Sequence, residues 1–189
     1  MDFMADEPRQ RVRAVPGRGT KVPVWILGSS LFGAQLAAAL GLPFAFASHF
    51  APAHMMQAIS IYRATFKPSD DLTKPYVMLG FNVVAAETDD EAQYLATSMQ
   101  QAFVNLRSGR PARLPPPIEG YMDRIGPNER ALLDQVLSCA AIGSRDTVKG
   151  KLNAFIELTG ADELMITSQV FNHSARLRSY EIVAALRNE

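Results

Sequence analysis

The residues best suited to hold a ligand are Gly28, Ser29 and Ser30, where the apolar run 22–27 gives way to an Ala- and Leu-rich stretch. The first turn of a helix carries unpaired backbone N–H groups and a partial positive charge, which bind phosphate without a charged side chain. Gly28 lets a ligand approach the backbone closely, and the serine hydroxyls add hydrogen-bond donors. Gly33 leaves the first helical turn uncrowded. The pattern indicates a phosphate site.

The same Gly-Ser-Ser step has a simpler interpretation, as a turn that only caps the helix after it. Gly-Ser before a helix often does no more than that, and from the pattern alone capping is the more frequent outcome. The stretch also lacks the spacing of a P-loop and the full G-x-G-x-x-G fingerprint of a dinucleotide site. The residues by themselves leave both interpretations open.

A second candidate is His49, which follows the apolar segment 42–47. An imidazole can exchange protons near neutral pH, so a histidine at the end of a strand could line a pocket or assist proton transfer. Such a histidine also commonly does no more than hydrogen-bond to the backbone, and this alternative stays open. Neither His54 nor His173 has neighbours at metal-ligand spacing, so we predict no metal site.

The composition is that of a globular protein and excludes several classes of function. The 189 residues are 48% hydrophobic and 20% charged, with a formal net charge of zero. There is no basic excess that would favour nucleic-acid binding. Apolar stretches are shorter than the roughly 18–20 residues of a membrane span or are interrupted by Gly, Pro or His. The single cysteine, Cys139, excludes a disulfide within one chain. We expect a cytoplasmic protein that binds neither nucleic acid nor membrane.

Strand and helix signals alternate along the chain after an irregular lead-in over residues 1–21, which is rich in Arg, Pro and Gly. Short apolar segments predict four strands, at 22–27, 42–47, 75–86 and within 161–171. Helical patterns cover 31–40, 51–66, 88–106, 129–140, 144–160 and 174–189. The clearest helix start is at Thr88, which with Glu91 predicts a capping box. An excursion punctuated by Pro and Gly occupies 107–127.

Strands that alternate with helices predict a parallel α/β sheet joined by right-handed crossovers. Four such strands fit two architectures. One is a small open sheet, and the other is half of an eight-stranded barrel, which as a whole typically needs about 250 residues. The spacing alone does not choose between them. In either case residues 22–189 form one predicted domain.

Long stretches of the sequence resemble the luciferase-like flavin-dependent monooxygenases of bacteria. They are "WILGSSLFGAQLAAALGLPFAFASHFAP", "YRATFKPSDDLTKPYVMLGFNVVAAETDDEAQYL" and "ADELMITSQVFNHSARLRSYEIVA". That family has a TIM barrel, binds reduced FMN that a separate flavin reductase often supplies, and uses O2 to oxidise an organic substrate. The resemblance implies that 22–27 is the fifth barrel strand and 163–167 the eighth. The chain would then be the C-terminal half, strands five to eight, of a (β/α)8 barrel.

The resemblance also implies which residues hold the cofactor. In the family, the turn after the fifth strand grips the FMN phosphate. The matching positions here are Leu27, Gly28, Ser29, Ser30 and Gly33. The family often has Ser or Thr where this sequence has Gly33, so one hydroxyl is absent while the backbone donors remain. His49 falls in a region that lies near the flavin ring in the family, which makes it the candidate catalytic residue.

The family's first four strands have no counterpart in this sequence. A half-barrel would expose the inward face of each strand and two unpaired edges, and burial at roughly 25 cal/mol per Å² of apolar surface favours covering them. We therefore expect a homodimer or other homo-oligomer, or pairing with a separately encoded N-terminal half. Three functions remain as alternatives: a monooxygenase once completed, a non-catalytic flavin-binding dimer, or a decayed fragment. The sequence does not predict the substrate.

Overall fold

A computed structural model describes residues 14–187, and within them regular structure begins at Ile26. The strands are β1 (Ile26–Gly28), β2 (Phe44–Phe46), β3 (Val77–Ala85), β4 (Ala140–Gly143) and β5 (Glu163–Thr167). The helices are α1 (Leu31–Leu40), α2 (Met55–Thr65), α3 (Asp89–Arg107), α4 (Tyr121–Arg124), α5 (Pro127–Val136), α6 (Arg145–Thr159) and α7 (His173–Leu186). A 3₁₀ turn, Pro52–His54, leads into α2. None of the helices in this part of the chain is long and apolar enough to cross a membrane.

The strands form one parallel sheet, which confirms the predicted α/β class. Leu27 of β1 lies opposite Ala45 of β2, and Ala45 lies opposite Met78 of β3. On the other edge of β3, Gly80 lies opposite Met165 of β5. Within residues 14–187, β1 pairs only with β2 and β5 pairs only with β3, so each leaves one edge unpaired.

The structure corrects the predicted strand count, because a fifth strand, β4, stands where we expected a helix end and a turn. Helix α5 ends at Val136, and Ala140–Gly143 then pairs with residues 82–85 of β3. This edge of β3 is the one that pairs with β2, since the Tyr76 carbonyl bonds to β2 and the Asn82 N–H bonds to the residue before β4. The segment is only four residues long, and its pairing with the far end of β3 makes it a strand.

One face of the sheet packs against helices and forms the first hydrophobic core. Its strand residues include Phe44, Val77, Leu79 and Phe81, all 2% exposed or less. Helices α1, α2, α6 and α7 cover them with the following side chains: Ala34, Ala37, Ile59, Tyr62, Val148, Phe155 and Ile182. The small residues of α1 let that helix lie close to the sheet.

A second hydrophobic core forms on the opposite face of the sheet, where α3 packs on β4 and on the last residues of β3, and α5 packs on α3. Its buried members include Val84, Leu95, Met99, Phe103, Leu133 and Ile142. The Pro- and Gly-rich excursion joins this core, since Thr97 Oγ1 accepts a hydrogen bond of 2.9 Å from the Ile118 N–H. At the end of α3, the Arg107 guanidinium carbon lies 5.6 Å from the centre of the Phe50 ring. The second core therefore adjoins the loop that follows β2.

Two neighbouring side chains of α2 bond to the backbone of other parts of the fold. The Tyr62 hydroxyl donates to the Leu42 carbonyl at 2.9 Å and accepts from the Tyr76 N–H at 3.1 Å, so it bridges the segments that precede β2 and β3. The Arg63 guanidinium donates to the Thr159 carbonyl at 2.8 Å and so satisfies the C-terminal end of α6.

The predicted helix start at Thr88 is confirmed, with one difference in the capping box. Thr88 Oγ1 accepts from the Glu91 N–H at 3.2 Å, as a capping residue does. The Glu91 carboxylate accepts from the Glu87 N–H at 3.3 Å rather than from that of Thr88. The reciprocal bond is therefore made one residue before the cap.

Gly41 ends α1 with a φ of 63°, and a Cβ there would lie 2.6 Å from both the Lys67 carbonyl oxygen and Ser69 Cβ. We predict that Gly41→Ala lowers the free energy of unfolding by about 1–3 kcal/mol, from the left-handed backbone and the overlap. Urea unfolding followed by circular dichroism measures the change. Gly150→Ala in α6 is the matched control, because a Cβ there has no neighbour within 4 Å. It should be neutral or stabilising by up to about 1 kcal/mol. Equal midpoints for the two variants would contradict the prediction.

Candidate functional site

On the face of the sheet opposite α1, α2, α6 and α7, the described residues leave β1, β5 and the adjoining parts of β2 and β3 largely open. Leu27 of β1 is 71% exposed and Met165 of β5 is 51% exposed, although both lie within strands of the sheet. The same face continues across β2 and β3 between these two strands, where it is formed by Ala45, Met78 and Gly80. A contiguous apolar surface of this kind in a folded protein marks a place where something else binds.

A hollow of about 240 Å³ lies on this open face. The residues that shape it include Trp25, Leu27, Met78, Gly80, Met165 and His49. Small residues of the central strands form its floor and larger apolar side chains form its rim. Among the described residues that line the hollow, only His49 and Trp25 carry a polar ring atom, so these two rings would make the directional contacts in an otherwise apolar site.

The Gly-Ser-Ser turn lies at the carboxyl end of β1, next to the end of β2. The Ala47 N–H donates to the Gly28 carbonyl at 2.9 Å, which joins this turn to the residues leading to His49. Ser29 and Ser30 are exposed. Ser30 is the N-cap of α1 in extended conformation, and its hydroxyl makes no capping hydrogen bond. The donors of the first helical turn are therefore not used by the side chain placed to cap them.

The other two residues of the predicted phosphate turn have different positions. Leu27 turns its side chain to the open face, where it lines the hollow. Gly33 is buried in the first turn of α1, where an added Cβ would lie 3.4 Å from Gly28 Cα and 3.5 Å from the Phe44 ring. These are ordinary contact distances, so the strand and the helix meet closely here without requiring glycine at position 33.

His49 sits on the backbone of Gly80. A Cβ added to Gly80 would overlap the imidazole, with Nδ1 as the nearest atom, Cε1 at 2.8 Å and Cγ at 2.9 Å. Nδ1 is buried and has no hydrogen-bond partner in the described part of the chain. The sequence left open whether the His49 ring bonds to the backbone, and for Nδ1 no such bond is present within residues 14–187.

Three polar residues that the sequence analysis missed hold the backbone around His49. Asn82 donates from Nδ2 to the His49 carbonyl at 2.8 Å and accepts from Thr167 Oγ1 at 2.7 Å. The Ser48 hydroxyl donates to the Gly80 carbonyl at 2.6 Å. Asn82 is fully buried, and a buried amide needs partners. An asparagine inside the apolar stretch 75–86 was therefore the signal that could have revealed this array.

Burial lowers the pKa of His49, because the charged imidazolium loses hydration that no nearby acidic group replaces. None of the other residues that line the hollow has a titratable side chain. The imidazole is therefore neutral near pH 7, with one ring nitrogen able to donate and the other able to accept.

The described residues form neither a metal-ligand cluster nor a reactive thiol. Within 14–187, no group of three or more His, Cys, Asp or Glu side chains is placed to hold a metal ion. Cys139 is buried with its sulfur 3.8 Å from that of Met55, and burial raises the pKa of the Cys139 thiol. A thiol of this kind behaves as a small apolar core residue.

Comparisons with known proteins agree with this geometry. The family model for luciferase-like monooxygenases matches residues 2–163. A luciferase-like monooxygenase of Escherichia coli K12 is 49% identical over 187 residues, which cover 99% of this chain and 56% of the relative. The crystal structure of apo-MsnO8 superposes with a TM-score of 0.83 at 32% identity, over 95% of this chain and 55% of that one.

A more distant neighbour is the oxygenating constituent of 3,6-diketocamphane monooxygenase from Pseudomonas putida, solved in complex with FMN. Its TM-score is 0.57 at 19% identity, over 88% of this chain and 48% of that one, which shows a shared fold. The chain thus spans about half the length of the relatives it matches. The extent of the family match and the identity to full-length relatives place this chain in the luciferase-like monooxygenase family.

Proposed function

We propose that this chain forms the FMN-binding half of a flavin-dependent monooxygenase that oxidises an organic substrate with O2. The observation that carries the proposal is the position of two features at the same end of the sheet. One is the uncapped N-terminus of α1 after Gly28, and the other is the apolar hollow on the open face. A flavin mononucleotide has a dianionic phosphate at one end and a planar, largely apolar ring system at the other.

The phosphate would lie against Gly28, Ser29 and Ser30. The amides of the first turn of α1 are available because the Ser30 hydroxyl does not cap them, and the helix has ten residues, enough for its dipole to favour an anion. Both serine side chains are exposed and can turn their hydroxyls to a phosphate oxygen. We infer that backbone and hydroxyl donors, rather than a basic side chain of this segment, provide the grip.

The flavin ring would lie in the hollow of the open face. Its volume of about 240 Å³ is below the roughly 300–1,000 Å³ of complete ligand pockets, so it offers part of a wall rather than a whole site. Trp25, Leu27 and Met165 supply apolar surface, and His49 supplies the polar contact. Bound reduced FMN supplies the electrons that activate O2. The chain's own part is to orient the flavin and to keep water from the ring.

The remaining wall would come from a second polypeptide segment that pairs with the free edges of β1 and β5. The order β1-β2-β3-β5, all parallel, supports the interpretation of this sheet as the C-terminal half of a (β/α)8 barrel. The relatives are about twice as long as this chain, so the wall could come from the segment of a relative that this chain does not match, or from a second copy of the chain. A flavin reductase would provide the reduced cofactor.

Removal of both hydroxyls by Ser29→Ala/Ser30→Ala should weaken FMN binding by about tenfold or more, because hydrogen bonds to a charged phosphate are lost. Riboflavin, which lacks the phosphate, should bind equally to the variant and the original chain. Fluorescence titration measures both affinities. Ser60→Ala on the exposed side of α2 is the matched control and should change neither. Equal affinity of the original chain for FMN and riboflavin would overturn the phosphate assignment.

Substitution of the open face should reduce association. We predict that the chain self-associates or binds the N-terminal portion of its Escherichia coli relative, and that Leu27→Ser/Met165→Ser weakens either complex by exposing less apolar surface. Size-exclusion chromatography with light scattering at micromolar concentration measures the mass. Leu158→Ser on α6 is the control, because Leu158 is 67% exposed on a helix while Leu27 is 71% exposed on the sheet. A monomer that takes up no N-terminal portion would contradict the prediction.

A further inference from the structure

We propose that His49 contacts the flavin ring system directly, donating a hydrogen bond from Nε2 to a ring acceptor, and that Gly80 is the positioning residue that seats the imidazole for this contact. The ligand named here rests on the function proposed above. The assignment of His49 and Gly80 to one unit rests on the geometry of the open face alone.

The seat of the His49 imidazole is the space that is free because Gly80 has no side chain. The imidazole lies where the Cβ of any other residue would be, so the ring can lie on β3 only while position 80 is glycine. The backbone of Gly80 is also held by its carbonyl, which accepts a hydrogen bond of 2.6 Å from the Ser48 hydroxyl. The two ends of this contact, residues 48–49 and residue 80, therefore hold each other in place.

The backbone of His49 is held separately from its ring. Its carbonyl accepts from the Asn82 side chain at 2.8 Å, and Asn82 is oriented by Thr167 Oγ1 at 2.7 Å. With the carbonyl bonded and Nδ1 seated on Gly80, the imidazole has little freedom to leave the hollow. A polar group whose rotamer is fixed in this way is suited to meet a ligand in one orientation.

The position of Nδ1 decides which ring nitrogen can donate. Nδ1 is buried without a partner among the described residues, and a buried N–H without an acceptor is rarer in proteins than a buried acceptor without a donor. The proton of the neutral ring is therefore better placed on Nε2. His49 lines the hollow, so an Nε2–H would offer a hydrogen-bond donor to a ligand there, and the polar edge of a flavin ring carries carbonyl oxygens and ring nitrogens that accept.

The titration of His49 gives a test that needs no ligand. Burial holds its pKa below the usual value of about 6.5. The Arg107 guanidinium donates to the carbonyl of the next residue, Phe50, at 3.4 Å, and none of the other residues that line the hollow has a titratable side chain. Since the unfolded chain binds the proton more readily than the folded one, the stability that neutral His49 contributes is present above about pH 6.5. It is lost as the pH falls below that value.

Urea midpoints of the original chain and of His49→Gln, measured between about pH 7.5 and 5.5, should therefore diverge, with only the original chain losing this part of its stability at the acid end. In NMR titrations the His49 ring should show the lowered pKa, and in Gly80→Ala the pKa should rise toward its usual value because the ring is displaced. An unchanged His49 pKa in Gly80→Ala would contradict the proposal that Gly80 positions the imidazole.

A double-mutant cycle on flavin binding tests the contact itself. His49→Ala and Gly80→Ala should each weaken FMN and riboflavin by about tenfold, because each removes the donor from the ring system. The double variant should be no weaker than either single variant, since Gly80→Ala has no ring to displace once His49 is gone. If Gly80→Ala acts only on the backbone, its effect will persist in the His49→Ala background and the proposal fails. Partial recovery of affinity in His49→Gln, which keeps a donor, is also expected.

The outcomes separate this inference from the proposed function. In His49→Ala, FMN should still bind more tightly than riboflavin, because the phosphate contact at Gly28–Ser30 is untouched. If that preference is present and His49→Ala binds flavin as well as the original chain, the His49 contact is wrong and the phosphate site stands. If the original chain binds neither FMN nor riboflavin, the proposed function and the flavin contact of His49 are both wrong. The NMR and urea measurements then still test whether Gly80 positions the His49 ring.

Discussion

Strand β3 is longer than any strand beside it, and its backbone must find partners along both edges. Its nine residues meet β2 over the first part of one edge, β4 over the last part of that edge, and β5 along the other edge. Buried backbone groups must be paired, so the length of β3 determines how many segments gather around it. The rest of the molecule is arranged by this requirement. The first core follows one face of β3 along its whole length and includes Ala141 of β4, whereas the second lies on the opposite face, where Val84 and Ile142 are buried.

The candidate site lies where the partner on one edge of β3 changes. β2 ends at Phe46, and the chain then crosses over the face of the sheet with His49 resting on Gly80. Asn82, at the start of the β4 pairing, fastens this crossing by its bond to the His49 carbonyl. A buried amide thus lies between the hollow and the second core, on the same face of β3. The same few residues serve the packing of the sheet and the shape of the site.

The sequence predicted the parts of the fold that depend on local pattern. Alternating strand and helix signals indicated a parallel α/β sheet, and Thr88 was recognised as a cap because capping involves neighbours within one turn. β4 escaped detection because a four-residue apolar segment between two helical patterns becomes a strand only through residues 82–85, more than fifty positions earlier. The turn after β1 could be singled out from the sequence because Gly28, Ser29 and Ser30 are consecutive, and its role in phosphate binding stays a prediction. The partners of His49 were not found, since Gly80 and Asn82 come near it only when β2 and β3 pair.

The contact between His49 and Gly80 also restricts how the protein can change over evolution. A ring at position 49 and a methyl group at position 80 cannot occupy the same space, so position 80 cannot gain a side chain while the ring at position 49 stays where it is. A substitution that adds a side chain at position 80 must follow a change to a smaller or differently placed residue at position 49. A ring can return to position 49 only while position 80 is glycine. The two positions should therefore covary among relatives, although they lie thirty-one positions apart in the sequence.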